Sequence, residues 1–502
     1  MSEQWPGGLI TKTPVTPSGP YEASTASGVW TLAEAYQWTG DGVWPTAGNT
    51  LAYYSTLGHE VSTGWYGQGI AADSSSNVYL SGWLSGTGST YPNADILWVS
   101  KWPSDGTAPT WQRSAQDTSL TSVQVVDSVI DSTADIIVLA KGYPSGSGHI
   151  MVLKWDTDGV FQWGRNFGSS SAEAHAYGIG VDSSDNIYTW STGSSSGYAE
   201  IVKWNSAGVL QFQKSASAGP SGSPSLTAQD GDLTIDSSDY ILPVGNVSAA
   251  TSGSGAAVGS LARITAAGVL DWAVEITHFT NIRAVATDSA DNIYVGCSVP
   301  DGTTLPHIMK FNSSGTKQWA RVIAGSAVTG HVWSQAVAKR IAVDSSDNVY
   351  MIAGTDLNTS GATPAGPNNE VIGIFKYNSS GVLQWARYVQ GNLYSMGANS
   401  RITIDGSDIV IGSRATLSTV DAGDMSMFYI KVPTDGSKTG SYTNPTYTGF
   451  TLVYGVLLTS ESEDTTSTVS SEAYALATTT ITEAATGMTS ATGSLTYDND
   501  PL

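Results

Sequence analysis

The chain has 502 residues and a formal net charge of −22, yet only 13% of its residues are charged. Without clustered Lys and Arg, an acidic surface excludes gripping nucleic acid or anionic lipid through phosphates, and no apolar run reaches the roughly 18 residues of a membrane-spanning helix. A single cysteine, Cys297, excludes a disulfide framework and a cysteine zinc site.

Residues 1–48 are rich in Pro, Thr, Gly and Trp and belong to no repeat. The opening Met-Ser-Glu-Gln-Trp-Pro-Gly-Gly lacks the basic start and apolar run of a signal peptide. Thr31-Leu-Ala-Glu34 fits a helix capping box, and Trp44-Pro stops any helix there. Trp5, Trp30, Trp38 and Trp44 are four of 17 tryptophans, in a segment with no core of its own. Large aromatics in an irregular arm point to docking on another surface. The segment reads as an extended attachment arm.

Residues 49–442 are organised by a phrase recurring about seven times. Its first marker is an Asp opening a turn: Asp73, Asp131, Asp182, Asp236, Asp288, Asp344 and Asp405. From first to last is 405 − 73 = 332 residues over six steps, a period of about 55. Its second marker is a cation before an apolar residue (Lys101-Trp102, Lys154-Trp155, Lys203-Trp204, Arg263-Ile264, Lys310-Phe311, Lys376-Tyr377, Lys431-Val432). Its third is an aromatic near the unit's end (Trp111, Trp163, Phe212, Trp272, Trp319, Trp385).

Each unit reads as four short strands. An apolar, β-branched run precedes the Asp. Asp-Ser-Ser-Asp-Asn is a turn, because Asp and Asn bond their own backbone and tolerate left-handed conformations. Ile-Tyr-Val and Ile-Met-Lys-Phe follow as strands, Asn-Ser-Ser-Gly turns again, and Gln-Trp-Ala-Arg lies on the fourth strand. Seven four-stranded units of this length specify an all-β, seven-bladed β-propeller; an open β-solenoid, the alternative, has shorter rungs. The seventh unit lacks its aromatic strand after Lys431, and Tyr53 lies 73 − 53 = 20 residues before Asp73, within the 16 to 25 residues that separate the other aromatics from the next Asp. Leu51–Ser55 is therefore predicted to supply the missing strand and close the ring, removing exposed sheet edges.

Residues 443–502 are Ser- and Thr-rich, and basic residues end at Lys438. They read as a small β module or a stalk, with a short helix at 471–477; a disordered tail is the other reading of such a composition.

Little in the chain spells out chemistry. Asp185, Asp239, Asp291 and Asp347 recur because the turn recurs. Glu60, Glu200, Glu275 and Glu370 lie outside it and are the acids open to a catalytic pair. The turn resembles an acidic calcium loop but lacks EF-hand spacing and its distant Glu. The six histidines form no metal-binding motif, and neither a phosphate loop nor a nucleophile elbow occurs. No cofactor or metal is expected, and no catalytic residue is assigned. Cys297, in a strand-like run, reads as packing. Among aromatics off the Trp-bearing repeat positions, Trp65, Trp83 and Trp333 are candidates for stacking on sugar rings at a loop face, against the plainer reading that they fill blade interfaces.

The pattern Asp-x-x-x-Asn-[Ile/Val]-Tyr followed by Lys-[aromatic]-Asn-x-x-Gly-x-x-x-Trp over residues 60–440 resembles bacterial and phage β-propeller repeat proteins. Trp5-Pro-Gly-Gly-Leu-Ile-Thr-Lys-Thr-Pro, Pro17-Ser-Gly-Pro-Tyr, Gly28-Val-Trp-Thr-Leu and Gly42-Val-Trp-Pro-Thr-Ala-Gly-Asn are similar to the N-terminal segment of structural proteins of marine tailed phages, cyanophages among them. The resemblance implies a non-enzymatic virion structural protein in a tail fibre, spike or surface appendage. Its arm would join other virion proteins, and its propeller loops would contact a host-surface glycan or protein, as a homo-oligomer on the particle. The alternatives are a polysaccharide-degrading tailspike (glycosidase or lyase), a capsid decoration protein, and a bacterial surface or periplasmic binding module. No nucleic-acid partner and no membrane insertion are expected.

Overall fold

The computed structural model describes residues 65–84, 96–104, 106, 109–116, 120–144, 148–167, 175–192, 199–217, 226–247, 258–276, 281–298, 305–324, 331–359, 370–391, 400–416 and 425–443, the strand 53–58, short strands between 451 and 501, and two N-terminal strands at 3–5 and 8–10. All regular structure among them is strand.

Seven antiparallel sheets form the blades of a β-propeller. Blade 1 comprises Trp65–Ala72, Val78–Leu84, Ile96–Trp102 and Trp111–Gln116, from the innermost strand outward. Blades 2 to 6 follow in chain order with innermost strands Leu120–Ile130, His175–Val181, Leu226–Ile235, Asn281–Thr287 and His331–Val343. Blade 7 begins with Arg401–Asp405, Asp408–Thr416 and Met425–Pro433. Each innermost strand touches that of the next blade, and blade 7 touches blade 1, so the ring is closed. Alternating side chains pack between blades: Trp102, Trp155 and Trp204 and the tyrosines Tyr79, Tyr188, Tyr294 and Tyr350 are fully buried. At about 25 cal/mol per Å² of apolar surface, these recurrent large residues dominate the core. Cys297 is buried as packing, as expected, in a cluster with Val244, Ile282, Val295 and Met309.

The predicted closing strand is present, shifted two residues along: Tyr53–Gly58 pairs antiparallel with Met425–Pro433 as the fourth strand of blade 7.

The C-terminal segment departs from the expected module or stalk. Its strands from 451 onward add, one apiece, to the outer edges of the blades, in reverse order around the ring, and Gly440–Thr443 pairs outside the first of them on blade 6. Thr451–Val456 pairs with blade 6, Ser460–Glu463 with blade 5, Val469–Ser471 with blade 4, Ala475–Thr478 with blade 3, Ala484–Ala485 with blade 2, Thr489–Thr492 with blade 1, and Thr496–Pro501 with Tyr53–Gly58 of blade 7. The step is (496 − 451)/6 = 7.5 residues per blade, which at about 3.3 Å per extended residue spans roughly 25 Å. Edge strands carry unpaired N–H and C=O groups, so a Ser/Thr-rich chain with no core of its own finds partners there. Ala475–Thr478 is strand where a short helix was expected.

Residues 1–52 separate from this body as a unit that contains the hairpin Glu3–Trp5 and Gly8–Ile10. The capping box at Thr31–Glu34 and Trp30, Trp38 and Trp44 lie outside the described residues.

Candidate functional site

The two faces of the ring differ. Within each blade the first and second strands are joined by the Asp turn, and in blades 1 to 6 the third and fourth by a second turn; both lie on one face. In blades 1 to 6 the first-to-second connection is always five residues, as in Asp73–Asn77 and Asp344–Asn348, and in blade 7 it is two, Gly406 and Ser407. On the opposite face, second-to-third connections range from four residues (145–148) to 11 (85–95), and connections between blades from three (117–119) to nine (392–400). On the turn face five residues is the rule, broken only by the two-residue turn of blade 7 and by 103–110 in blade 1; on the other face no single length prevails.

The turn face explains the recurring acids. Asp288 Oδ1 accepts from the backbone N–H of Ala290 (3.1 Å) and Asn292 (2.9 Å), and its Oδ2 accepts from Tyr294 O–H (2.9 Å) and faces Lys310 Nζ at 3.2 Å. Burial alone would raise this carboxyl's pKa, but the two hydrogen bonds that Asn292 Nδ2 donates to it (3.0 Å each), together with these, win and hold it below the usual range; Asp182 and Asp344 behave alike. Three residues on, Asp185, Asp239, Asp291 and Asp347 adopt φ of 57–63°. Each also reaches the preceding blade: Ser132 N–H and O–H donate to Asp185 (2.9 and 2.7 Å), Ser183 to Asp239 (2.8 and 2.7 Å), and Ser289 to Asp347 (2.9 and 3.0 Å). Asp291 takes the N–H of Ser237 and the hydroxyl of Ser238. The second Asp of the phrase is thus a blade-to-blade staple across blades 2 to 6.

The non-repeating chemistry sits in the central channel. The residue four before each turn Asp is, from blade 1 to blade 7, Gly69, Asp127, Gly178, Asp232, Ala284, Arg340 and Arg401. In blades 1 to 6 a β-bulge or register irregularity falls at this position. The four charged side chains meet across the channel: Arg401 Nε lies 3.5 Å and Arg340 Nη2 3.7 Å from Asp127 Oδ2, and Arg340 Nε lies 3.7 Å from Asp232 Oδ2. Arg401 Nη2 also donates to the Val126 carbonyl (2.7 Å), and Arg340 Nη1 to that of Arg283 (2.6 Å). Burial pushes Asp232 up to about 6, Arg340 opposing and Asp127 reinforcing the shift. Burial and the neighbouring Arg340 lower Arg401 to about 10. The layer borders a cavity of about 380 Å³, lined further by Ser128, Thr234 and Thr403. Reading each repeat backward from its Asp reveals these residues in the sequence; attention to what recurs conceals them.

The acids singled out from sequence are not brought together. Glu200 lies on the third strand of blade 3, where Gln213 Nε2 donates to it (3.0 Å) and burial raises its pKa. Glu275 lies on the fourth strand of blade 4 and Glu370 begins the third strand of blade 6; Glu60 lies outside the described residues. Among the described residues no group of His, Cys, Asp or Glu is placed to hold a metal ion. Trp65 opens the innermost strand of blade 1 and Trp333 is third in that of blade 6, both at the variable face; Trp83 is near the same face but only 7% exposed, packed in a core cluster with Leu97 and Val123. Trp5 ends the first strand of the N-terminal hairpin.

No family model matches the chain, and no curated protein does. Solved structures that resemble it include the phage phi92 endosialidase (8% identity, TM-score 0.37, covering 79% of this chain and 72% of that one). Others are the polysaccharide lyase Uly1 (8%, 0.36, 74% and 90%) and the Neurospora crassa Pan2 WD40 domain (10%, 0.36, 73% and 89%).

Proposed function

We propose that the chain is a non-enzymatic structural protein of a tailed-phage virion, in a tail fibre, spike or surface appendage. The arm, with Trp5, Trp30, Trp38 and Trp44, joins other virion proteins, and the propeller presents its variable face to a host-surface glycan or protein. The observation that carries this reading is the separation of faces: the turn face repeats a five-residue turn in most blades, while connections on the other face run from three to 11 residues. A repeated framework on one side and varied loops on the other is how rigid scaffolds carry recognition. Trp65 and Trp333 mark where strands emerge on that side and are the stacking residues proposed for a sugar ring; Trp83 would have to leave its packing to join them. Many copies on a particle would turn weak contacts into avidity.

The test is immunogold electron microscopy of purified particles with antibody to residues 60–440, beside their mass spectrum. Label on tail or fibres supports the reading, and label on the head supports a decoration protein instead. Absence from both label and spectrum overturns it.

A second reading, a polysaccharide-degrading spike, is favoured by one observation. Asp127 and Asp232 share a cavity, and Asp232 holds its proton up to about pH 6. One carboxyl kept protonated beside another is the arrangement of acid-assisted glycoside cleavage. Release of reducing ends or unsaturated sugars from host polysaccharide, lost in Asp232→Asn, would establish it; equal products from the variant would sink it.

A further inference from the structure

The ring has a seam, and the chain's last strand lies across it. The blade-to-blade carboxylate staples join blades 2 through 6. At the left-handed turn position blade 1 has Ser76 and blade 2 has Ala134 in place of Asp, and blade 7 turns in two residues with no such position. The junctions 6–7, 7–1 and 1–2 therefore lack this staple. They are consecutive, and they surround the blade completed by a strand from the other end of the chain. Lys431 Nζ does reach the Ser104 carbonyl of blade 1 (3.2 Å), so the seam keeps the lysine contact made at other junctions.

At this seam the closing strand has a partner on each edge. It pairs with its own blade through three residues, Ser55↔Tyr429, Thr56↔Phe428 and Leu57↔Met427. With the C-terminal strand it pairs through six, from Tyr53↔Pro501 to Gly58↔Thr496. The rest of the tail is paired along six further blades, so the last strand arrives already tethered. Its effective concentration at Tyr53–Gly58 is correspondingly high.

From this we infer that Thr496–Pro501 is the latch of the propeller: the closing strand is held on both edges, by Met425–Pro433 and by the encircling tail, and it opens when the latch is removed. Tyr53 follows the 1–52 unit directly in sequence, so tension on the arm enters the propeller at this strand. That consequence rests on the arm being an attachment segment; the latch itself does not.

The test uses the full-length chain with a protease recognition sequence inserted between Thr492 and Thr496, cut after folding, and hydrogen exchange read by mass spectrometry. Exchange over 53–58 is expected to accelerate at least ~tenfold on cutting, as for a locally opened element, with 187–192, 241–247 and 293–298 unchanged. Unchanged protection at 53–58, or equal loss in every blade, would overturn the latch. A second variant, Ser55→Cys with Asn499→Cys, joins Cα partners of the two strands. It should form a disulfide in the folded protein and keep 53–58 protected after cutting until reduced; failure to form it would refute the pairing. Both readouts are made on isolated protein, so they fail separately from the virion reading.

Discussion

At the scale of single residues, one turn phrase contains acids with different duties. Asp288 caps its own turn and faces a buried lysine and a buried tyrosine hydroxyl. Asp288→Ala should cost about 3–5 kcal/mol, as when one partner of a buried pair is removed, readable as a lower urea midpoint. Asp291 staples to the preceding blade from a partly exposed site. Asp291→Gly keeps the left-handed backbone and should cost only about 1 kcal/mol. Gly381 has φ of +75°, and a Cβ there would lie 2.7 Å from Trp319. Gly381→Ala is therefore strained twice and should destabilise by about 2 kcal/mol or more.

The acids also differ in pH response. Asp182, Asp288 and Asp344 have lowered folded pKa values, so their stabilisation is present above the unfolded value near 4 and is lost as pH falls through the folded values. Asp232 is the reverse. Its folded pKa of about 6 is above the unfolded value, so its contribution is full below about pH 4 and is lost as pH rises to 6. Across that window it amounts to about 3 kcal/mol. Urea unfolding of Asp232→Asn at a series of pH values should show this falling limb removed between pH 4 and 6, with the acid limb below 4 retained.

At the scale of elements, the missing staples are informative because their positions are otherwise intact. Ala134 already has φ of 62°, and Ser74 stands in blade 1 where Ser132 and Ser183 stand in theirs. Ala134→Asp is expected to add the staple between blades 1 and 2 and to stabilise by about 1 kcal/mol, seen as a higher urea midpoint with unchanged slope. The turns and strands behind this argument were legible in the sequence, since an Asx turn is made by its own residues and a strand's alternation is local. The reach of the second Asp across blades was not legible, because it depends on how adjacent blades pack. The channel layer stayed hidden for a related reason. Gly69, Asp127, Gly178, Asp232, Ala284, Arg340 and Arg401 share only an offset from the turn, and their meeting requires the ring to close.

At the scale of the whole molecule, seven repeats, four strands in each and a closing strand from the N-terminal side all follow from the chain, because a recurring phrase recurs as one structure and a ring one strand short must find it elsewhere. Tyr53 was recognisable by its distance from Asp73 alone. The tail was not. Its residues carry a β-favouring but featureless Ser, Thr and Ala composition, and nothing in them names a partner. Their strands form by pairing through backbone groups, which every residue offers alike, with edges that exist only after seven blades have assembled. The repeat determined the propeller by itself; only the tertiary structure decided where the tail goes, which charges face one another in the channel, and which face of the ring is free to vary.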